Sequence, residues 1–142
     1  MRITRGAAVL YTILTAGVIC FQIAMAAGAP WGDFAMGGAV HGQYPPSLRA
    51  AALVQAALLA VTALVVLCRA GLALRRWSRA AHWLVWVVVA LSAISSLMNL
   101  ATPSAGERAL WAPVALLTLA SSLTVALGAR SAERRQHPRA EA

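Results

Sequence analysis

Few side chains in this 142-residue chain could do chemistry, and they gather near one end of its apolar segments. Three amide side chains belong to three different apolar segments: Gln22, Gln55 and Asn99. If consecutive segments run antiparallel, all three amides lie in the same outer third of the bundle. The residues between and beyond those segment ends add charge, titratable groups and aromatic rings: Trp31, Asp33, His41, Tyr44, Arg49, Glu107 and Arg108. We therefore predict that any binding site lies at this end.

These residue types suit binding better than catalysis. Arg49 carries forked donors that match a phosphate or a carboxylate, and Trp31 and Tyr44 are amphipathic rings of the kind found at headgroup depth. We expect these three residues to contact a partner protein or a lipid headgroup. An enzyme acting on a lipid, with Glu107 or His41 as acid–base group, stays open, although one carboxylate without a second group at known spacing supports it weakly.

A purely structural role for the same residues is the competing interpretation. Gln22, Gln55 and Asn99 would then form hydrogen bonds that fix the helix register. Arg49 would form an exposed ion pair with Asp33 or Glu107, and such surface pairs contribute little to stability.

Several kinds of site are disfavoured. Asp33 and His41 supply only two of the three or four ligands that zinc requires, so we expect no metal and no cofactor. Cys20 and Cys68 fall near opposite ends of their segments, too far apart for a disulfide. No charged residue lies deep in an apolar segment, which argues against an ion-coupled transporter. No P-loop, G-x-S-x-G or H-E-x-x-H motif is present.

The composition predicts a membrane protein. The chain is 61% hydrophobic and 11% charged, with a mean hydropathy of +0.72, whereas soluble domains carry about 25% charged residues. A membrane-spanning helix needs about 20 mainly apolar residues. Four segments qualify, which predicts an all-α, four-helix polytopic bundle in one domain, residues 1–128, and a basic, mobile tail, residues 129–142. The spans are residues 7–27, 50–68, 81–101 and 110–128.

The arginines predict the orientation of this bundle. All twelve basic residues are Arg, and ten of them flank the spans on the side of the two termini, whereas only Arg49 and Arg108 flank the other side. Positive residues favour the cytoplasmic side, so we expect both termini inside a bacterial cytoplasmic membrane. Arginines so placed would contact lipid phosphate, and no nucleic-acid-binding motif accompanies them, so we expect no nucleic-acid partner.

The first span has an alternative interpretation as a signal peptide. The sequence MRITR resembles a positively charged n-region, and Ala24-Met25-Ala26 is an A-x-A cleavage pattern. Cleavage would leave three spans. The apolar run exceeds the usual h-region of about 7–15 residues, so we predict that the span is retained.

Two local patterns carry further predictions. Residues 28–49 form a long Gly- and Pro-rich outer loop, which would act either as a lid or docking surface or as a cap that seals the bundle. Ala52, Ala56 and Ala60 form a smooth helix face that could pack against a neighbouring helix or a second copy. A homo-oligomer built on that face would permit the alternative function, a transporter or channel for a lipophilic or uncharged solute.

The turn before the fourth span contains Ser104-x-x-Glu107, a capping-box pattern that predicts reciprocal hydrogen bonds between Ser104 and Glu107.

Two sequence patterns resemble those of a known group. They are GAPWG with the following GG, G and PPxxR in residues 28–49, and NxxTPSxxERxxWxP in residues 99–113. The chain resembles small four-span membrane proteins of bacteria, common in actinobacteria, for which no activity is assigned. The resemblance implies the same four-span topology and places both patterns on the outer face, but it implies no substrate, cofactor or partner.

Overall fold

The chain folds into an antiparallel bundle of four long helices, seen here in a computed structural model. The structure describes residues 2–74 and 77–136, except for the side chains of residues 78 and 129–136. All four helices are long and apolar enough to cross a membrane, and the described residues include no strand. The helices are α1 Arg2–Ala26, α2 Pro46–Arg69, α3 Ser78–Ala101 and α4 Ala105–Gln136.

The bundle has two chemically different ends. At the loop end, residues 27–45 connect α1 to α2, and residues 102–104 connect α3 to α4. We call residues 27–45 the cap; it contains two short 3-10 helices, Gly32–Phe34 and Met36–Gly38. The opposite end, the arginine end, carries Arg2, Arg5, Arg69 and Arg79. Arg75 and Arg76 lie outside the described residues.

Local sequence explains where the helices begin and end. Pro46 occupies the first turn of α2, where its missing N–H costs nothing. Pro103 disfavours helical backbone at Thr102, which ends α3. At the end of α1, the Ala29 N–H donates to the Ala24 carbonyl (2.9 Å) and the Gly28 N–H to the Met25 carbonyl (3.1 Å). This is the Schellman arrangement, which satisfies carbonyls that the helix leaves unpaired.

Tight packing is concentrated in the half of the bundle near the arginine end. Valines and alanines dominate there, and small side chains let membrane helices approach closely. The buried cluster consists of Ala8, Tyr11, Ala63, Val66, Val85, Val88, Val125 and Ala126. α1 supplies Ala8 and Tyr11 to this cluster and also buries Thr15 and Met25, so cleavage after the first span would remove part of the interior.

The alanine face of α2 does not offer an interface for a second copy. Ala52 and Ala56 are buried inside the bundle, and only Ala60 is exposed. The prediction that this face packs against a neighbouring helix is confirmed for Ala52 and Ala56, whose neighbours belong to the same chain, but not for Ala60.

Every helix begins three to five residues before its predicted span, and α4 also ends eight residues later than predicted. α2 begins at Pro46, so Arg49 belongs to its first turn and not to the loop. α4 continues through Gln136 and therefore takes up part of the predicted tail; residues 137–142 lie outside the described residues. α4 is 32 residues long and continues through Pro113, although a proline within a helix costs about 3 kcal/mol. Backbone groups in hydrocarbon must be paired internally, which favours helix on both sides of this residue.

Candidate functional site

A cavity of about 410 Å³ lies in the half of the bundle near the loop end. Ligand sites usually enclose about 300–1,000 Å³. All four helices and the cap contribute to its wall. The lining of α1 extends from Tyr11 to Gln22 and that of α4 from Glu107 to Thr118. At 1.5 Å per residue each of these faces is about 16 Å long, which is about half of the ~30 Å hydrocarbon core of a bilayer.

The three amides singled out from the sequence all lie on the wall of this cavity. Gln22 comes from α1, Gln55 from α2 and Asn99 from α3. The Asn99 Nδ2 donates to the Ser95 carbonyl oxygen at 2.8 Å, which orients its amide along the helix. The structure thus brings these side chains to one cavity, and their role in ligand binding stays a prediction.

Further polar groups lie deeper in the cavity and were not singled out from the sequence. The Tyr11 hydroxyl donates to Thr62 Oγ1 (3.1 Å), and the Thr62 hydroxyl donates to the Leu59 carbonyl (2.8 Å). Thr15 and Thr118 also line the wall. The usable signal was the spacing of Tyr11, Thr15 and Gln22 by four and seven residues, which places them on one face of α1.

The side of the cavity between α2 and α3 is its least enclosed side, and we infer that the cavity opens there. These two helices pack against each other less extensively than the other adjacent pairs. Leu58 and Leu91, which line the cavity from these helices, are 61% and 52% exposed. In contrast, Tyr11 and Ala115, which line it from α1 and α4, are buried. An opening on the flank of a membrane bundle faces lipid and not water.

The carboxylate of Glu107 fastens the cap over the cavity. Its Oε2 accepts hydrogen bonds from the Gly37 N–H at 2.7 Å and from the Thr102 hydroxyl at 2.9 Å. Gly37 has φ +73, a conformation that favours glycine and directs its N–H at the carboxylate. Bonds to an ionised acceptor are stronger than neutral ones, so this side chain is the main link between α4 and the cap.

Two further hydrogen bonds hold the cap to the start of α4. Ser104 Oγ accepts from the Glu107 N–H (3.2 Å) and donates to the Asp33 carbonyl (3.1 Å). The Trp111 indole N–H donates to the Phe34 carbonyl at 2.8 Å. The predicted bond from Ser104 to the Glu107 amide is confirmed. The reciprocal half of the capping box is wrong, because the Glu107 carboxylate is drawn instead to Thr102 and Gly37.

Asp33 and His41 contact each other on the outer surface of the cap, away from the cavity. His41 Nδ1 and Asp33 Oδ1 form a hydrogen bond, and both side chains are exposed. The hydrogen bond from His41 lowers the pKa of Asp33 below its usual 3.8. No group of three metal-ligating side chains occurs within the part of the chain that the structure describes.

The two arginines of the loop end bind backbone and not carboxylates. Arg49 Nε donates to the Tyr44 carbonyl at 2.8 Å and its Nη2 to Gln43 at 3.3 Å. Arg108 Nη1 donates to the Thr102 carbonyl at 2.6 Å. The competing interpretation, which pairs Arg49 with Asp33 or Glu107, is wrong on this point, because the described residues show no ion pair between an arginine and a carboxylate. The first turn of α2 directs Arg49 back along the cap, away from both acids.

Tyr44 links the cap to the electrostatics of the cavity. It is 6% exposed and lines the cavity together with Glu107. Burial, and secondarily the negative charge of Glu107, raise the pKa of the Tyr44 phenol above its usual 10.0. None of the described residues that line the cavity is Arg, Lys or His, so the charge that it presents to a ligand is negative.

Aromatic rings form one wall near the cap. Phe21 stacks on Trp31 with ring centroids 5.9 Å apart and meets Trp111 edge-on at 4.7 Å. Phe21 and Trp111 line the cavity, whereas Trp31 covers the outer side of Phe21 and stays 44% exposed. Trp31 therefore supports the site from outside instead of contacting its contents.

Comparison with known proteins gives no further assignment. No family model matches the chain, and no curated protein and no solved structure matches it.

Proposed function

We propose that this integral membrane protein binds a lipophilic or amphipathic molecule of the bilayer in the cavity at its loop end. The observation that carries the proposal is the cavity's shape and opening. It is about as long as one leaflet is deep, its wall as a whole is mainly apolar, and its least enclosed side lies between α2 and α3. A molecule with a hydrocarbon chain could enter from the leaflet without crossing water.

The polar end of such a molecule would lie beneath the cap. Gln22, Gln55 and Asn99 line that part of the cavity and offer both donors and acceptors. The sequence suggested that Arg49 contacts a lipid headgroup; we now assign that contact to these amides and Tyr44. Arg49 supports them indirectly, because its bond to the Tyr44 carbonyl holds that residue in place.

The positions of the arginines support an orientation for this site. Arg2, Arg5, Arg69 and Arg79 lie at the arginine end, opposite the cap. By the positive-inside rule this end faces the cytoplasm, and the cavity then lies in the outer leaflet of a bacterial cytoplasmic membrane. Both termini of the bundle would be cytoplasmic.

The packing near the arginine end disfavours a channel through one chain. Between Tyr11 and the arginine end, three fully buried valines fill the interior of the bundle: Val66, Val85 and Val125. A solute in the cavity would have to displace this close-packed layer to continue, which costs free energy. Binding from one leaflet requires no such rearrangement.

The test is to fill the cavity. Ala115 is 6% exposed and lines the wall from α4, so Ala115→Phe places a ring in the space that a ligand chain would occupy. We expect native mass spectrometry of the wild-type protein, extracted in a mild detergent, to show a retained bilayer molecule. Ala115→Phe should lose it.

Ala90→Phe is the matched control, because Ala90 is exposed on α3 and does not line the cavity. It adds the same ring to the lipid-facing surface and should retain the bound molecule. Equal retention by wild type and Ala115→Phe, with both folded, would overturn the proposal.

A further inference from the structure

The cavity contains a carboxylate without a cationic partner. Glu107 lines the cavity, and the described residues include no Arg, Lys or His within 4.0 Å of its oxygens. Its two hydrogen bonds from the protein both go to Oε2. No described residue donates to Oε1, which leaves that oxygen to accept from a ligand.

From this arrangement we infer that the ligand is an amphipathic cation, with an ammonium-type group near Glu107 and its chain along the apolar wall. The inference rests on the proposed function, since it names the chemical class of molecule that the cavity would hold. A carboxylate in a site of low polarity attracts a cation more strongly than one in water, because the effective dielectric constant is lower.

The aromatic wall favours the same class of ligand. Trp111, Phe21 and Tyr44 line the cavity. Trp111 lies one helical turn beyond Glu107, on the same face of α4. Cations bind to the faces of such rings, and recognition of quaternary ammonium groups by aromatic side chains is a common use of this interaction.

An anionic headgroup fits this cavity poorly. The arginines nearest to it, Arg49 and Arg108, donate to the Tyr44 and Thr102 carbonyls, and neither lines the cavity. A phosphate placed among Gln22, Gln55 and Asn99 would meet the charge of Glu107 with no cation to compensate. Like charges at close range disfavour binding.

The experiment compares two molecules of nearly equal shape. Dodecyltrimethylammonium carries a positive charge, and its isostere with carbon in place of nitrogen carries none. Binding of tritium-labelled forms to the purified protein in lipid nanodiscs, with protein-free nanodiscs subtracted, gives an affinity for each. We expect the cation to bind about tenfold more tightly than the isostere.

Variants assign that difference to one residue. Glu107→Gln keeps an oxygen that can accept from Gly37 and Thr102, and it should reduce the preference for the cation to near unity while the isostere binds as before. Asp33→Asn removes the other acid of the cap, which is exposed and outside the cavity. It should leave the preference intact.

The outcomes separate this inference from the proposed function. Equal affinities of the wild-type protein for the two molecules would refute the cation inference and leave the cavity as a binding site. Saturable binding of neither molecule would count against the proposed function itself. The comparison on wild type decides both points even if Glu107→Gln does not fold. A preference that survives in folded Glu107→Gln would also overturn the inference.

Discussion

Removal of the Glu107 carboxylate should loosen the cap without unfolding the bundle. In the wild-type protein this group accepts bonds from the Gly37 N–H (2.7 Å) and the Thr102 hydroxyl (2.9 Å). Hydrogen bonds to charged groups contribute about 1.5–3 kcal/mol each. Only the bond from Gly37 joins Glu107 to the cap, and in Glu107→Ala this N–H gains partial access to water, since Gly37 is half-buried; Thr102 is buried and lies outside the cap. We therefore expect a net loss of about 2 kcal/mol in the free energy of opening the cap.

Hydrogen–deuterium exchange measures this quantity directly, because an amide exchanges when its segment opens. A loss of about 2 kcal/mol corresponds to roughly 30-fold faster exchange at Gly37 and its neighbours. Amides of α2 and α3 near Val66 and Val85 should be unaffected. Asp33→Ala is the control, since its carboxylate bonds to His41 and the Gly42 backbone within the cap and not to α4, so it should change exchange at Gly37 little. Unchanged exchange at Gly37 in Glu107→Ala would refute the assignment of Glu107 as the main link to the cap.

Three further predictions test the cap and the topology. In a Tyr11→Phe background, absorbance titration should show that the pKa of Tyr44 lies above 10.0. The free energy of unfolding should fall as the pH rises from 10.0 through that higher pKa, because in this range only the unfolded chain releases the phenol proton. Ionisation of Tyr44 at or below pH 10.0 would contradict this. Gly32→Ala should displace the cap and accelerate its exchange, because the new Cβ would lie 2.8 Å from the Gly42 carbonyl oxygen; wild-type exchange would contradict it. In intact cells a membrane-impermeant maleimide should label Gln43→Cys but not Ile3→Cys, and the reverse pattern would invert the proposed orientation.

The number and class of the helices could be predicted because a bilayer constrains sequence strongly. Backbone groups in hydrocarbon must be paired internally, so long apolar runs become helices. The predicted spans all correspond to observed helices. The ends of the helices were harder to predict, since α4 continues past Gly128 to Gln136. A glycine within a helix costs only about 1 kcal/mol relative to alanine, which is too little to end one that other residues favour.

The convergence of Gln22, Gln55 and Asn99 at one end of the bundle could also be predicted, but not the contacts of the residues around them. Gln22, Gln55 and Asn99 were placed by counting residues along three helices, and that count requires only a regular rise of about 1.5 Å per residue. The partners of Arg49 and Glu107 depend on the path of the cap, which is irregular backbone. Charge alone suggested that they pair with each other, whereas the closest acceptors and donors available to them are backbone groups.

The contrast between the two halves of the bundle explains why a cavity in this place points to a ligand. Valine and alanine fill the interior near the arginine end, where Val66, Val85 and Val125 are fully buried. Near the cap the inward positions carry amides and hydroxyls, whose hydrogen-bonding needs limit how closely they can pack. Empty space beside lipid forfeits dispersion contacts, so a chain from the leaflet gains free energy by filling it. Under the proposed function, packing alone would favour occupation by a hydrocarbon chain, and selectivity would have to come from the polar end. Comparing two ligands of equal shape and different charge therefore distinguishes a specific binding site from a gap that any lipid chain fills.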